Sequence, residues 1–370
     1  MDRIIDDRRT RIIVCCGSGG VGKTTAAAAI GLRAAERGRQ VCVLTVDPAR
    51  RLAQAMGLTS LDNTPRLVEG VFDAAGGSLH AMMLDMKRTF DEVVEAHADP
   101  ARAAQILANP FYQSLSSSFA GTQEYMAMEK LGQLRRSDEW DLIVVDTPPS
   151  RSALDFLDAP ERLGRFLDGR LIRVLASPVR AGRPFTKVLN AGLTVMTGAL
   201  TKLLGAQVLR DAQTFITAFD TMFGGFRERA EATYRLLQAP GTSFLVVAAP
   251  EPDALREASY FVERLDEERM PLAGLILNRV HSSPGTKLSA ARSLAAAETL
   301  EGMTGDYAVA AAALRLHAER MNLGERERRV SGAFMSAHPA VPVAEIMALP
   351  TDVHDLAGLR RIGESLALAG

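Results

Sequence analysis

Cys16-Gly17-Ser18-Gly19-Gly20-Val21-Gly22-Lys23-Thr24-Thr25 carries the pattern G-x-x-x-x-G-K-[ST], with Gly17, Gly22, Lys23 and Thr24 in register. The run before it, Ile12-Ile13-Val14, is apolar and β-branched, and Ala26 to Ala35 after it is an alanine-rich helix former. A strand, a glycine loop and a helix in that order give the motif its meaning. Glycines let successive backbone N–H groups turn inward around phosphate oxygens, where side chains would fill the concavity. Gly19, Gly20, Val21, Gly22 and Thr25 then frame the phosphates. Lys23 reaches the β- and γ-phosphates, and the Thr24 hydroxyl ligates Mg²⁺. The start of the helix adds a positive dipole end. The pattern predicts a nucleoside triphosphate site.

Composition limits what surrounds that site. The 370 residues are 47% hydrophobic and 24% charged, which is globular rather than disordered, and the net charge of −1 exerts no general pull toward nucleic acid or anionic lipid. Cys15, Cys16 and Cys42 are the three cysteines; all sit in or beside apolar strand-like runs, without C-x-x-C spacing. They predict small core residues in a reducing compartment, with no zinc clamp or iron–sulfur cluster supplied by cysteine pairs. Met1 to Arg9 is charged and has no apolar leader, and no run approaches a membrane span. The expectation is a cytoplasmic chain with no nucleic-acid partner.

Further strands are legible beyond the loop. Gln40 to Val46 is a second apolar strand ending at Asp47-Pro48. A carboxylate at that edge of a parallel sheet can position attacking water, or Asp47 can cap a helix over Leu52 to Met56. Arg50 and Arg51 follow, as a solvated first turn or as cations near phosphate. Ser78 to Leu84 reads as a strand closing at Asp85, and Met86 to Arg136 as helices broken by Pro100 and Pro110. Asp141 to Asp146 is an apolar strand ending in a carboxylate, the Walker B pattern, where Asp146 holds Mg²⁺ through water. A stiff loop, Thr147 to Ser152, leads away from it.

Pro160 to Gln238 is helical in period, and Phe185 to Val208 has apolar positions on one face and threonines on the other. It is either one wall of a helical core or a lid over a hydrophobic client. The sheet resumes at Ser243 to Ala248 and Leu272 to Leu277. Asn278 at that strand's end either pairs with an adenine edge or ends the strand in a turn. Alanine-rich helices run to Phe334, and a last strand, Val341 to Leu349, leads to Pro350-Thr351-Asp352 as a loop against the base.

Together these stretches resemble one family over nearly the whole chain: the ArsA-like branch of the signal-recognition and MinD-type P-loop ATPases, which includes the arsenical pump-driving ATPase and the ATPase for guided entry of tail-anchored proteins. Gly17 to Thr25, Asp47-Pro48-Ala49, Gly121-Thr122-Gln123-Glu124, Asp146 to Ser150, Pro250-Glu251-Pro252, Asn278-Arg279-Val280 and Leu349-Pro350 carry the resemblance. Among its members the chain most resembles the paired actinobacterial homologues, in which two unlike ATPases associate. The resemblance implies an α/β fold, a mostly parallel sheet flanked by helices with an inserted helical subdomain, and a dimer driven open and closed by ATP and Mg²⁺. It also implies that Asp47 orients the hydrolytic water, with Lys23 as the other catalytic residue, and that Asn278 and the Pro350 loop read adenine. The domain boundaries expected on this basis are a nucleotide-binding core in three parts (1–85, 137–160 and 239–370) and helical insertions at 86–136 and 161–238, the second touching the client.

The family's metalloid-binding and dimer-clamping cysteine pairs are missing, so against the resemblance the expectation is no zinc or arsenite site formed by cysteines. Three further departures stand out. Where the family has a second lysine in the loop, this chain has Ser18; Arg50-Arg51 and Arg151-Ser152 replace the family's residues after the Asp-Pro-Ala triplet and the Walker B loop. The expected function is a dimeric, ATP-hydrolysing subunit that serves a hydrophobic protein client or membrane partner. Its dimer partner is a lysine-bearing paralogous ATPase or a second copy of the chain, with Arg51 or Arg151 as another source of the missing charge. Two alternatives are a MinD- or ParA-like positioning switch and a nucleotide-binding regulatory subunit with little turnover.

Overall fold

The runs of valine, isoleucine and leucine form strands buried on both faces, as parallel strands covered by helices must be. The computed structural model describes residues 1–47, 51–72, 74–110, 112–113, 122–148, 228–281, 288–303 and 305–368. Among them eight strands form one sheet, in the order β3-β4-β2-β5-β1-β6-β7-β8. At its centre β1 (Ile12–Cys16) lies between β5 (Leu142–Asp146) and β6 (Thr242–Ala248), parallel to both. On one side β2 (Gln40–Thr45) joins β5 to β4 (Ser78–Met83). On the other, β7 (Leu272–Val280) joins β6 to β8 (Val343–Met347). Only the two-residue β3 (Arg66–Leu67) runs antiparallel, against β4. This is the α/β fold of a P-loop nucleotide-binding protein.

Of the first two helices, α1 (Asp2–Asp6) is short and α2 (Lys23–Glu36) is central. α2 packs on β2, β5 and the C-terminal helix Leu356–Leu368. Ala26, Ala27, Ala28, Ala29, Ala34 and Ala35 are all buried, so α2 is covered nearly all round, and small side chains let it approach the sheet closely. A Cβ on Gly31 would stand 2.5 Å from Val43 Cγ2. The helix that follows the phosphate loop is thereby fixed against the strands that carry the other site residues.

Several element ends lie one residue from the sequence expectation, as at β2, β5 and β6, and three boundaries differ for a physical reason. β7 does not end at Asn278 but continues to Val280, because a bulge between them absorbs one residue and lets pairing with β8 resume. β4 stops at Met83, and Asp85 is the N-cap of the helix Met86–His97, its carboxylate accepting from the Arg88 N–H at 2.9 Å. β8 is shorter than Val341 to Leu349, since Pro342 has no N–H to give to a ladder.

The chain divides into two compact units. One comprises Met1–Met83, Asp138–Ala153 and Leu237–Gly370 and contains the whole sheet; the other comprises Leu84–Ser137 and Leu154–Leu236. The described part of the second unit is helical. Asp99 and Pro100 start the helix Pro100–Leu107 as cap and first residue. The buried Glu129 carboxylate accepts from Arg136 of its own helix at 3.2 Å and from Arg229 at 3.0 Å, and the second bond joins Thr122–Ser137 to the helical residues 228–236. Phe185 to Val208 lies outside the described residues. Among the described residues no helix is long and apolar enough to cross a membrane.

Arg39 holds the base of the first unit together. Its side chain is 1% exposed, and the guanidinium donates to the carbonyls of Ile5 at 2.8 Å, Thr10 at 2.5 Å and Asp141 at 2.6 Å. Arg39→Ala strands these acceptors where water reaches poorly, at a cost of roughly 1–3 kcal/mol for each acceptor left unpaired. We expect the variant to melt several degrees lower, and Arg39→Lys to recover only part of the loss because one ammonium cannot span three carbonyls. Thermal unfolding followed by circular dichroism would measure this; an unchanged midpoint would contradict it.

Candidate active site

The C-terminal ends of β1, β2 and β5 meet at one edge of the sheet, where open parallel sheets bind ligands. The loop after β1 is shaped by its neighbours. A Cβ on Gly17 would lie 2.1 Å from the Val247 carbonyl oxygen of β6, so only glycine passes there. Gly22 has φ 97° and caps α2 from the left-handed region, and a Cβ on it would lie 2.2 Å from Asn278 Nδ2. The Asn278 amide donates to the Val21 carbonyl at 2.8 Å, tying the loop to β7. Lys23 is 6% exposed, and its Nζ donates to the Ser18 carbonyl at 2.8 Å. Burial pulls the Lys23 ammonium below its ordinary range, and the Asp146 carboxylate opposes that shift.

Asp146 ends β5 and is fully buried. Its Oδ2 accepts from the Thr24 hydroxyl at 2.8 Å and the Thr45 hydroxyl at 2.9 Å. Its Oδ1 is buried and has no hydrogen-bond partner in the described structure. Desolvation raises the carboxyl to about 6, against the pull of the two hydroxyls and Lys23. A buried carboxylate oxygen without a partner, beside a threonine hydroxyl, is a donor set that suits a hard divalent cation such as Mg²⁺. Among the described residues no group of three or more His, Cys, Asp or Glu side chains could hold a metal by itself. Cys15, Cys16 and Cys42 are unoxidised and buried, and burial raises the Cys15 and Cys16 thiols, that of Cys16 to about 12.

A cleft over the loop is lined by Gly20, Gly22, Lys23, Thr24, Thr25 and Asp47, and also by Arg51 and Thr147. Asp47 thus faces the same space as Lys23, with its N–H bonded to the Thr45 hydroxyl at 3.2 Å. The helix-cap alternative for Asp47 depends on residues 48–50, which lie outside the described residues, as does Arg151. Beside it, a second cleft is lined by Asn278 and by Leu349 and Thr351, the neighbours of Pro350. Gly19 is an exposed residue of the loop. Sequence reasoning overlooked Thr45, which contacts both carboxylate-bearing residues. Its only local signal is a hydroxyl residue near the end of an otherwise apolar strand.

The raised Asp146 carboxyl sets a pH dependence. The folded chain holds a proton that the unfolded chain has lost between the ordinary carboxylate value of 3.8 and about 6. Stability of the nucleotide-free protein should therefore fall as pH rises through that window, with the full penalty present above it. Asp146→Asn removes the buried charge. We expect it to stabilise the nucleotide-free chain at pH 7.5 by about 2–3 kcal/mol and to flatten the stability profile from pH 4 to 7. Melting temperatures across that range would decide; a variant less stable at pH 7.5 would contradict the assignment.

Comparison with known proteins bears on the family of the chain. A family model described as Anion-transporting ATPase matches residues 10–308. The ATPase GET3 of Ajellomyces dermatitidis is 25% identical over 282 residues, 76% of each chain. That of Pyrenophora tritici-repentis is 24% identical over 284 residues, again 76% of each chain. The ATPase GET3 of Malassezia globosa is 29% identical over 167 residues, 45% of this chain and 47% of that protein. With a family match over most of its length, the chain belongs to the anion-transporting ATPase family and is an ATPase of that family.

Proposed function

We propose that this chain is one subunit of a dimeric, cytoplasmic ATPase that couples ATP hydrolysis to the handling of a hydrophobic protein client or a membrane partner. The observation that carries the catalytic part is the convergence of Lys23, Thr24 and Asp47 on one cleft above the buried Asp146. Lys23 leaves the Ser18 carbonyl for the β- and γ-phosphate oxygens, exchanging a neutral acceptor for a charge-assisted one. The backbone N–H groups from Gly19 to Thr25 surround the phosphates at the start of α2. The Thr24 hydroxyl and, through water, Asp146 would hold Mg²⁺, whose charge would offset that of the phosphate oxygens. Asp47 orients the attacking water, and Asn278 and the Pro350 loop receive the adenine. The client role belongs to the insertion at 161–238, with the nucleotide core at 1–85, 137–160 and 239–370 and a smaller insertion at 86–136.

Asp47→Asn tests the hydrolytic assignment. It should leave ATP affinity within a few-fold and lower turnover by about a hundredfold or more, the scale for a lost general base. Steady-state phosphate release with calorimetric ATP binding measures both. Retained turnover with a lowered melting temperature would make Asp47 a helix cap.

Ser18 bears on the dimer. A serine hydroxyl offers hydrogen bonds but no positive charge and little reach, so the partner would be a lysine-bearing paralogue that completes this chain's site. A second reading has its own support: Arg51 lines the phosphate cleft and makes no ion pair with any described residue, and a guanidinium suits phosphate. We expect slow turnover by the chain alone and a rise of about 10³-fold or more on mixing with the paralogue, the scale of a cation supplied in trans. Full activity alone, lost in Arg51→Ala, would favour the second reading.

A further inference from the structure

The bulge in β7 re-aims one side chain. Asn278 stands opposite Ile346 and Val280 opposite Met347, so Arg279 is an extra residue without a partner on β8. Its backbone is left-handed at φ 63°, which glycine adopts freely and arginine rarely does. In a regular strand Asn278 and Arg279 would point to opposite faces. Here both line the cleft beside the Pro350 loop. Bulges beside functional sites commonly serve to redirect a side chain in this way.

Arg279 has a counterpart across the same space. The cleft over the phosphate loop and the cleft beside Pro350 share Gly22, Thr25, Arg279, Asp352 and Val353. A nucleotide with its phosphates in the first and its base in the second must pass between them, and the part that passes is the α-phosphate and ribose. Neither the Arg279 guanidinium nor the Asp352 carboxylate makes a hydrogen bond or ion pair with any described residue. An ionised carboxylate only accepts hydrogen bonds, so it matches sugar hydroxyls and mismatches phosphate oxygens; a guanidinium has the reverse preference. Asp352 also lies beyond residues 10–308, the span matched by the family model.

We propose that Arg279 and Asp352 form a ribose clamp. Asp352 accepts from the 2′- and 3′-hydroxyls, Arg279 donates to the α-phosphate, and the chain thereby selects ribonucleotides over deoxyribonucleotides. The clamp rests on the nucleotide reading of the phosphate loop. It goes beyond that reading by assigning a sugar subsite.

Calorimetric titration with ADP, 2′-deoxy-ADP, 3′-deoxy-ADP and GDP tests the clamp without interference from hydrolysis. The wild-type chain should bind ADP about tenfold or more tightly than either deoxy analogue, as expected for a lost hydrogen bond to a charged acceptor. Asp352→Ala, at an exposed position, should shrink that preference to about twofold or less. Arg279→Gly should weaken ADP and deoxy-ADP alike by about tenfold. Its nucleotide-free melting temperature should stay level or rise, because glycine relieves the left-handed backbone. Equal wild-type affinity for ADP and 2′-deoxy-ADP, or a preference that survives Asp352→Ala, would overturn the clamp and leave the phosphate site standing. Lost ADP-over-GDP discrimination in Asp352→Ala with the sugar preference intact would place Asp352 at the base instead, and would also overturn it. A wild-type chain that binds none of the four, with Lys23→Ala no different, would overturn the nucleotide reading itself and the clamp with it.

Discussion

One carboxylate oxygen, Asp146 Oδ2, accepts hydroxyl hydrogens from Thr24 at the start of α2 and Thr45 at the end of β2. Three elements brought together from distant parts of the chain therefore end on one atom. The Thr45 bond is buried and the Thr24 bond partly so, in an environment where a hydrogen bond is strong and an unmade one is costly. The arrangement leaves Oδ1 without a partner and raises the carboxyl, a condition that is unfavourable in the nucleotide-free protein. A cation bound beside this carboxylate would relieve that cost, and perturbed groups of this kind mark candidate sites.

The rest of the first unit supports that atom. β5 is fixed between β1 and β2, so Asp146 cannot move without displacing two ladders. Thr147 extends the arrangement by one residue, its hydroxyl donating to the Cys15 carbonyl at 2.9 Å. On the far side, Asn278 ties Val21 to β7. The phosphate loop is thus held at its start by the close approach of Gly17 to β6 and near its end by a side-chain amide. A loop held at both ends keeps its N–H groups aimed before any ligand arrives, which lowers the ordering cost of binding. The second unit has a buried ionic centre of its own around Glu129. Such a centre contributes little net stability but is sensitive to the loss of either partner.

The sequence by itself determined the elements that depend on local pattern. The β-branched runs could only be buried strands, the alanine stretch after Lys23 could only be a closely packed helix, and the glycine spacing fixed a phosphate loop between them, because period, side-chain volume and backbone freedom are properties of neighbouring residues. Only the tertiary structure decided which distant residues meet. Thr45 and Asp146 are 101 positions apart and Val21 and Asn278 are 257 apart, and no local signal encodes either contact. The same holds for Arg279, whose direction depends on a one-residue mismatch between β7 and β8. An asparagine and an arginine in sequence read as a strand end. They became two groups facing one cleft because pairing with β8 resumed one residue later, and strand register is a property of the sheet rather than of either strand alone.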